Sequence, residues 1–382
     1  MRLKTIVKLG TMVSVLLFVL AVGYYAFMRL DMKEHNRHVD LFSLVPSHCE
    51  GVLESDDINR FFSEYAALNY SQELEHFRHS GLFNFLVSEL NDYTYENDHG
   101  LNSQMGRLAV SFHQMGTARH QVVYFHLGMA DEQMLSDILQ EYMPGNFLPK
   151  EEVYRGYKML IYPLSYDEFL TTFTEDGFIV LSYQKRLVEE VIDAWLDKTS
   201  LRQDEAFSRI LEKRKSPGFL TFYGKEASLP FLNLETDCWT EYDFHMNSDV
   251  VYLTGNTYVQ SDSNQIEGLS QYLEKVPTVK EEGVIISAHK DSTALYMNQA
   301  FEANDDGYRT LFNECVANLA NEVDFSLVVD MQKVEENPKR FQAYLPSFIL
   351  DHSSFLQSFV LSVQMSKNSE RLSHIWVFTY KH

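Results

Sequence analysis

An uncharged apolar run near the start of the chain constrains this protein more than any other feature of its sequence. Residues 9–28 read LGTMVSVLLFVLAVGYYAFM, without one formal charge. As a helix, this run is about 30 Å long, which matches the hydrocarbon thickness of a bilayer. Arg2, Lys4 and Lys8 precede it, so the positive-inside rule places residues 1–8 in the cytoplasm. The sequence therefore predicts a single-pass protein of the inner (cytoplasmic) membrane whose C-terminal part is periplasmic or otherwise extracytoplasmic.

The run is interpreted as an uncleaved signal anchor. A secretory signal peptide has an apolar stretch of only about 7 to 15 residues, followed by small residues at a cleavage site. Here the run ends in Tyr24, Tyr25 and Arg29, which suit the headgroup level of a membrane, and no small-x-small pattern follows. A cleaved signal and a buried soluble helix are the alternatives.

The remainder of the chain exceeds a typical domain of about 100 to 200 residues, so we expect more than one folded unit. A Val-Pro pair followed by Gly-Val occurs twice, at residues 45–52 and 276–284, and suggests a degenerate duplication. The predicted organisation is a juxtamembrane linker over 29–43, an extracytoplasmic α+β domain over 44–275 and a second α+β subdomain over 276–382.

The fold class follows from apolar periodicity. Alternating apolar residues predict many strands, and several neighbouring strands are joined by turns too short for a parallel crossover. The clearest hairpin has arms at 359–365 and 374–380. Helical spacing is evident after the strand at 177–182 and again over 204–213. We predict an α+β fold with largely antiparallel sheets and helices packed on one face.

Composition restricts the partners. The formal net charge is −22, and such an acidic surface repels phosphate backbones, which argues against nucleic acid as a partner.

The three cysteines are far apart and odd in number, so no disulfide framework is implied. Aromatic residues make up 14% of the chain, and packing in a sheet-rich core explains them better than an exposed binding surface.

Motifs for common chemistry are absent from the sequence. It has no GxGxxG or GxxxxGK loop, no GxSxG elbow and no HExxH helix, and no cofactor is predicted. Ser182 and Lys185 have the SxxK form, at a strand-to-helix junction where a lysine could activate a serine nucleophile. Ser287 and Lys290 fit the same form and a KTG element is missing, so chance explains both matches better.

Two histidines are the candidates for a metal site. His76 and His79 are three residues apart on a predicted helix, a spacing that could hold a metal ion. With 14 histidines in the chain, such pairs are expected by chance, and solvated helix residues are the preferred interpretation. No catalytic, cofactor-binding or metal-ligating residue is therefore predicted; Ser182, Lys185, His76 and His79 are the weak candidates.

Several segments resemble a broad family of uncharacterised bacterial proteins that have a membrane anchor and a large extracytoplasmic domain of unknown function. These segments are LVPSHCEGVLES, GFIVLSYQKRLVEEVIDAW, AFSRILEKRKSPGFLTFYG and VPTVKEEGVIIS. The resemblance implies a location in the cell envelope and no catalysis. It carries over no site residues.

Together these features favour a membrane-anchored binding or scaffold protein of the bacterial cell envelope. The chain would contact the membrane through residues 9–28 and bind an envelope protein or a lipid. Whether it is an enzyme is left open, with the absence of motifs against it. The alternatives are an envelope hydrolase or transferase with an unrecognised site, and a periplasmic lipid or lipopeptide carrier.

Overall fold

The structure is a computed structural model that describes most of the chain beyond residue 38. The described residues are 39–57, 60, 64, 67–69, 107–114, 118–127, 139, 148–164, 168–175, 177–214, 218–225, 238–258, 271, 273–305, 310–320, 322–351, 353–368 and 371–382. In this part of the chain, no helix has the length and apolarity to cross a bilayer. Residues 9–28, the predicted anchor, lie outside it.

Fifteen strands are described. They are β1 (Gly51–Ser55), β2 (Leu108–Phe112), β3 (Gln121–His126), β4 (Lys150–Tyr154), β5 (Tyr157–Pro163), β6 (Phe169–Glu175), β7 (Phe178–Ser182), β8 (Leu220–Gly224), β9 (Thr240–Met246), β10 (Val250–Tyr258), β11 (Val279–Glu281), β12 (Val284–Ser287), β13 (Phe325–Asp330), β14 (Phe359–Lys367) and β15 (Arg371–Tyr380).

Eight α-helices are described between these strands. They are α1 (Lys185–Asp197), α2 (Glu205–Lys213), α3 (Lys290–Asp305), α4 (Leu311–Ala317), α5 (Met331–Glu336), α6 (Pro338–Phe341), α7 (Ser347–Asp351) and α8 (Ser353–Leu356). The predicted helix at 204–213 is α2, and Asp204 caps it by accepting a hydrogen bond from the Phe207 N–H at 2.8 Å.

All fifteen strands belong to one sheet, in the order β11-β12-β13-β14-β15-β10-β9-β8-β1-β2-β3-β7-β6-β5-β4. Every pairing between them is antiparallel. The α+β class and the antiparallel pairing are thus confirmed. The sheet runs through both predicted subdomains, because β10 pairs with β15 from Val250–Thr379 to Tyr258–Arg371. The boundary between residues 275 and 276 stays a prediction.

Helices cover both faces of the C-terminal part of the sheet, which corrects the prediction of helices on one face. Ile285, Val328 and Val360 pack against side chains of α3 and α4. Their strand neighbours Ile286 and Leu327 point the other way and pack in the core that α5 to α7 cover. The sequence explains why both faces are covered. The segments FVLSV in β14 and VIIS in β12 show little alternation of apolar and polar residues, as expected of strands buried on both faces.

The N-terminal part of the sheet also has a core on each face. On one face, Val52, Tyr124 and Val180 pack against α1 and α2. On the opposite face, Leu53 and Phe125 belong to a second cluster. On the last strand, Trp376 is buried in the C-terminal core, and Phe378 and Tyr380 pack against that core. All three cysteines are free thiols, and Cys49 and Cys238 are buried.

Candidate functional site

The structure gives Ser182 and Lys185 separate partners. The buried Ser182 Oγ donates a hydrogen bond to the Gln121 carbonyl at 2.8 Å and accepts one from the Gln184 N–H at 3.1 Å. Lys185 Nζ lies 2.9 Å from Glu152 Oε1, and a second ion pair with Glu189 adds to it. These bonds raise the pKa of Lys185, whereas a lysine acting as a base needs a lowered pKa. The geometry is that of a turn at the start of α1.

The same turn occurs at three strand ends. Ser55, Ser182 and Ser287 each end a strand and are buried, and each Oγ accepts a hydrogen bond from the N–H two residues further along the chain. Such serine turns redirect the backbone without leaving a buried N–H unpaired. This shared geometry gives the serine of both SxxK matches a structural role, and Ser55 has the same role without a lysine three residues later. His76 and His79 lie outside the described residues.

A cleft that the sequence did not predict opens at the C-terminal end of β1. Its apolar lining includes Leu41, Phe42 and Ala109, and its volume is about 200 Å³. Polar groups share the lining, namely Asp40, Glu54, Ser55, Asp56, Arg107 and His126. A concave site in which apolar side chains and converging polar groups meet is a usual setting of ligand binding.

Glu54 is the most unusual residue of this cleft. Its side chain is largely buried, Arg214 Nη1 donates to its Oε2 at 2.9 Å, and the Tyr223 hydroxyl donates to the same oxygen at 3.1 Å. Burial raises the pKa of the Glu54 carboxyl to about 7, even though the Arg214 charge lowers it. Near neutral pH this carboxyl therefore exists in both protonation states. Perturbed carboxyls in clefts are characteristic of functional sites.

Glu54 is held in place by three elements that are distant from one another in the sequence. Strand β1 directs Glu54 and Val52 to the face covered by α1 and α2, because alternate residues of a strand share a face. Arg214 follows α2 directly, and Tyr223 lies on β8, which pairs with β1. One sequence signal was available: GVLES places a carboxyl inside an otherwise apolar strand. Its partners could not be found in the same way, since Arg214 is 160 residues away.

A second group of side chains lies at the opposite end of β2 from the cleft. His48, His113 and Glu190 each place one ligand atom so that all three atoms lie within 4.8 Å of one another. His48 precedes β1, His113 directly follows β2 and Glu190 belongs to α1. None of the three was a predicted metal ligand.

Comparisons with known proteins identify no family. No protein-family model matches the chain, and no curated protein matches it significantly. Among solved structures, the chain is similar to one described as "Structure of crystal form I of TP0453", with 12% identity and a TM-score of 0.29. That alignment covers 64% of this chain and 90% of the other.

Proposed function

We propose that this protein is a membrane-anchored binding protein of the bacterial cell envelope, with residues 9–28 as its single membrane span. The binding site in this proposal is the cleft beside Glu54. The observation that carries the proposal is the Glu54 carboxyl itself, held on the cleft wall by Arg214 and Tyr223. A buried charged pair is expensive to desolvate, so its position at a cleft is better explained by ligand recognition than by stability.

The lining of the cleft indicates the kind of ligand. Leu41, Phe42 and Ala109 offer apolar contact, while Glu54 accepts hydrogen bonds when ionised and donates one when protonated. Asp40 and Asp56 add negative charge, and each pairs with an arginine, Arg202 at 3.2 Å and Arg107 at 3.8 Å. This combination suits an amphipathic ligand, either a peptide segment of an envelope protein or the polar end of a lipid.

A mild-detergent pull-down of the tagged full-length protein tests the proposal, with mass spectrometry of both proteins and lipids. Glu54→Gln and Asp56→Lys alter the cleft, and Glu282→Lys places a comparable charge change at an exposed position outside the cleft lining. We expect a stoichiometric protein or lipid that is depleted by the two cleft variants and retained by Glu282→Lys. Equal recovery with all variants would show that the cleft is not the binding site.

The location is tested separately. A fusion of residues 1–43 to alkaline phosphatase, which is active only after export, should be active and membrane-bound. Deletion of 9–28 should abolish both properties. A soluble, active fusion would indicate a cleaved signal instead of an anchor.

One observation favours the hydrolase or transferase alternative. A carboxyl with a pKa near 7 in a cleft is suited to general acid–base catalysis. If the purified protein hydrolysed a peptidoglycan or ester substrate, and Glu54→Gln abolished this activity while preserving the fold, the enzyme would replace the binding protein as the preferred function.

A further inference from the structure

We infer that His48, His113 and Glu190 form a binding site for a divalent transition-metal ion of the zinc type. The site is independent of the proposed cleft, because it lies at the opposite end of β2. Two imidazole nitrogens and one carboxylate oxygen are a ligand set that zinc uses in proteins when a fourth position is left to water or substrate.

The distances are compatible with this coordination. Ligand atoms around a tetrahedral zinc ion lie about 3.3 Å apart, given metal–ligand bonds of about 2.0 to 2.1 Å. His48 Nε2 and Glu190 Oε2 are 3.1 Å apart, and the three ligand atoms lie within 4.8 Å of one another. The His48 and His113 rings have centroids 5.1 Å apart. The largest of these separations must shorten by at most about 1.5 Å to reach the tetrahedral spacing, and the His48 side chain is exposed and close to Glu190 already.

The half-buried His113 ring has an atom left over for a ligand. His113 Nδ1 is buried and has no hydrogen-bond partner among the described residues. A buried polar atom without a partner is uncommon in folded proteins and calls for an explanation. A metal ion accepting the Nδ1 lone pair is such an explanation, since it would replace the missing hydrogen bond.

The surroundings also hold the ligands in place. His113 Nε2 lies 3.0 Å from Ser111 Oγ, which in turn lies 2.9 Å from the buried Tyr124 hydroxyl. Histidine ligands characteristically bond to a neighbouring group through their other ring nitrogen, which fixes the tautomer and the ring orientation. Glu190 is held in the same manner, because Arg186 Nε donates to its other oxygen, Oε1, at 2.9 Å.

Zinc titration of the full-length protein in detergent, after removal of bound metal with a chelator, tests the inference. Affinity is read by competition with a chromogenic chelator, and Co²⁺ substitution reports the coordination through its visible spectrum. His48→Gln and Glu190→Gln are the informative variants, because both side chains reach the surface and their loss should leave the core intact. Circular dichroism confirms the fold of each variant.

Controls separate this site from the other histidines. His382→Gln removes an exposed histidine that pairs with Asp249, and His76→Gln/His79→Gln removes the pair predicted from the sequence. We expect one tight zinc ion per chain, an affinity at least about tenfold lower in His48→Gln and Glu190→Gln, and no change in the controls. The inference is wrong if the wild type binds no zinc, or if affinity is unchanged in His48→Gln and Glu190→Gln, or if it follows His76 and His79.

Discussion

Arg214 Nη1 lies 2.9 Å from Glu54 Oε2, and the two side chains are only 16% and 18% exposed. The contact joins the residue directly after α2 to the C-terminal half of β1, two elements that are far apart along the chain. The arginine also lies over the Tyr223 ring, with 5.6 Å between the guanidinium carbon and the ring centroid. A carboxyl, a guanidinium and a phenol thus form one buried polar group beside the cleft.

This arrangement predicts an unusual pH dependence. Because the folded-state pKa of Glu54 is raised from 4.5 to about 7, the folded protein binds more protons than the unfolded chain between these values. The Glu54 contribution to stability is therefore fully present below pH 4.5 and is lost as the pH rises through 7. A shift of this size corresponds to about 3 kcal/mol of unfolding free energy.

Glu54→Gln isolates this contribution. As the pH rises from 4.5 to 8, we expect the wild type to lose unfolding free energy relative to the variant, because only the wild type has the Glu54 carboxyl that must ionise. Urea denaturation at a series of pH values measures it. Glu282→Gln, at an exposed position, is the matched control and should track the wild type at every pH. A difference that does not vary with pH would contradict the raised pKa.

Ser182→Ala should destabilise the protein by about 1 to 2 kcal/mol, because the Gln184 N–H loses its acceptor and the Gln121 carbonyl loses its donor. Ser287→Ala should cost less, since the His289 carbonyl that loses this donor keeps two others, the Thr293 N–H at 3.0 Å and the Thr293 hydroxyl at 3.2 Å. Thermal unfolding of the two variants makes the comparison. An unchanged melting temperature for Ser182→Ala would contradict the structural role of Ser182. If the variant instead lost a hydrolytic activity without being destabilised, Ser182 would again be a candidate nucleophile.

The two-residue turn between β4 and β5 offers a test of backbone conformation alone. Arg155 and Gly156 both have positive φ, 49° and 90°, as in the turns that favour tight hairpins. A Cβ at Gly156 would meet nothing within 4 Å, so the effect of Gly156→Ala is conformational, about 1 kcal/mol of destabilisation.

Lys198→Gly is the opposite case and serves as its control. Lys198 ends α1 in the left-handed conformation, with φ 57°, where glycine is preferred. We expect Gly156→Ala to lower and Lys198→Gly to raise the denaturation midpoint. Shifts of the same sign in both variants would contradict the assigned backbone conformations.

Gly255 tests the junction between the two parts of the sheet. A Cβ there would lie 2.6 Å from the Glu241 carbonyl oxygen on β9 and 3.1 Å from His374 on β15. Gly255→Ala should therefore destabilise the protein by about 1 to 3 kcal/mol, the range for overpacked cores. Gly224→Ala, whose Cβ would meet only the Phe222 ring, at 3.2 Å and beyond, should have a smaller effect in the same melting experiment. Equal effects would contradict the close approach at Gly255.

The candidate sites were beyond what sequence patterns predict. Ser182 and Lys185 drew attention because they match a spacing, yet spacing cannot show that the hydroxyl and the amine bond to different partners. His48 and Glu190 match no spacing, because they are 142 residues apart and meet only when α1 packs on the sheet. Glu54 could be recognised as a carboxyl in an apolar strand, but its raised pKa depends on burial.

The amino-acid sequence by itself determined part of the local structure of this protein: the strand at 177–182, the helix that follows it, the helix at 204–213 and the closing hairpin. These follow from apolar periodicity and capping residues, which act over a few positions. Only the tertiary structure decided that all described strands join one sheet, that helices cover both faces of its C-terminal part, and that Arg214 meets Glu54. Strand partners and burial arise from contacts between distant segments, whose free energy no local pattern records.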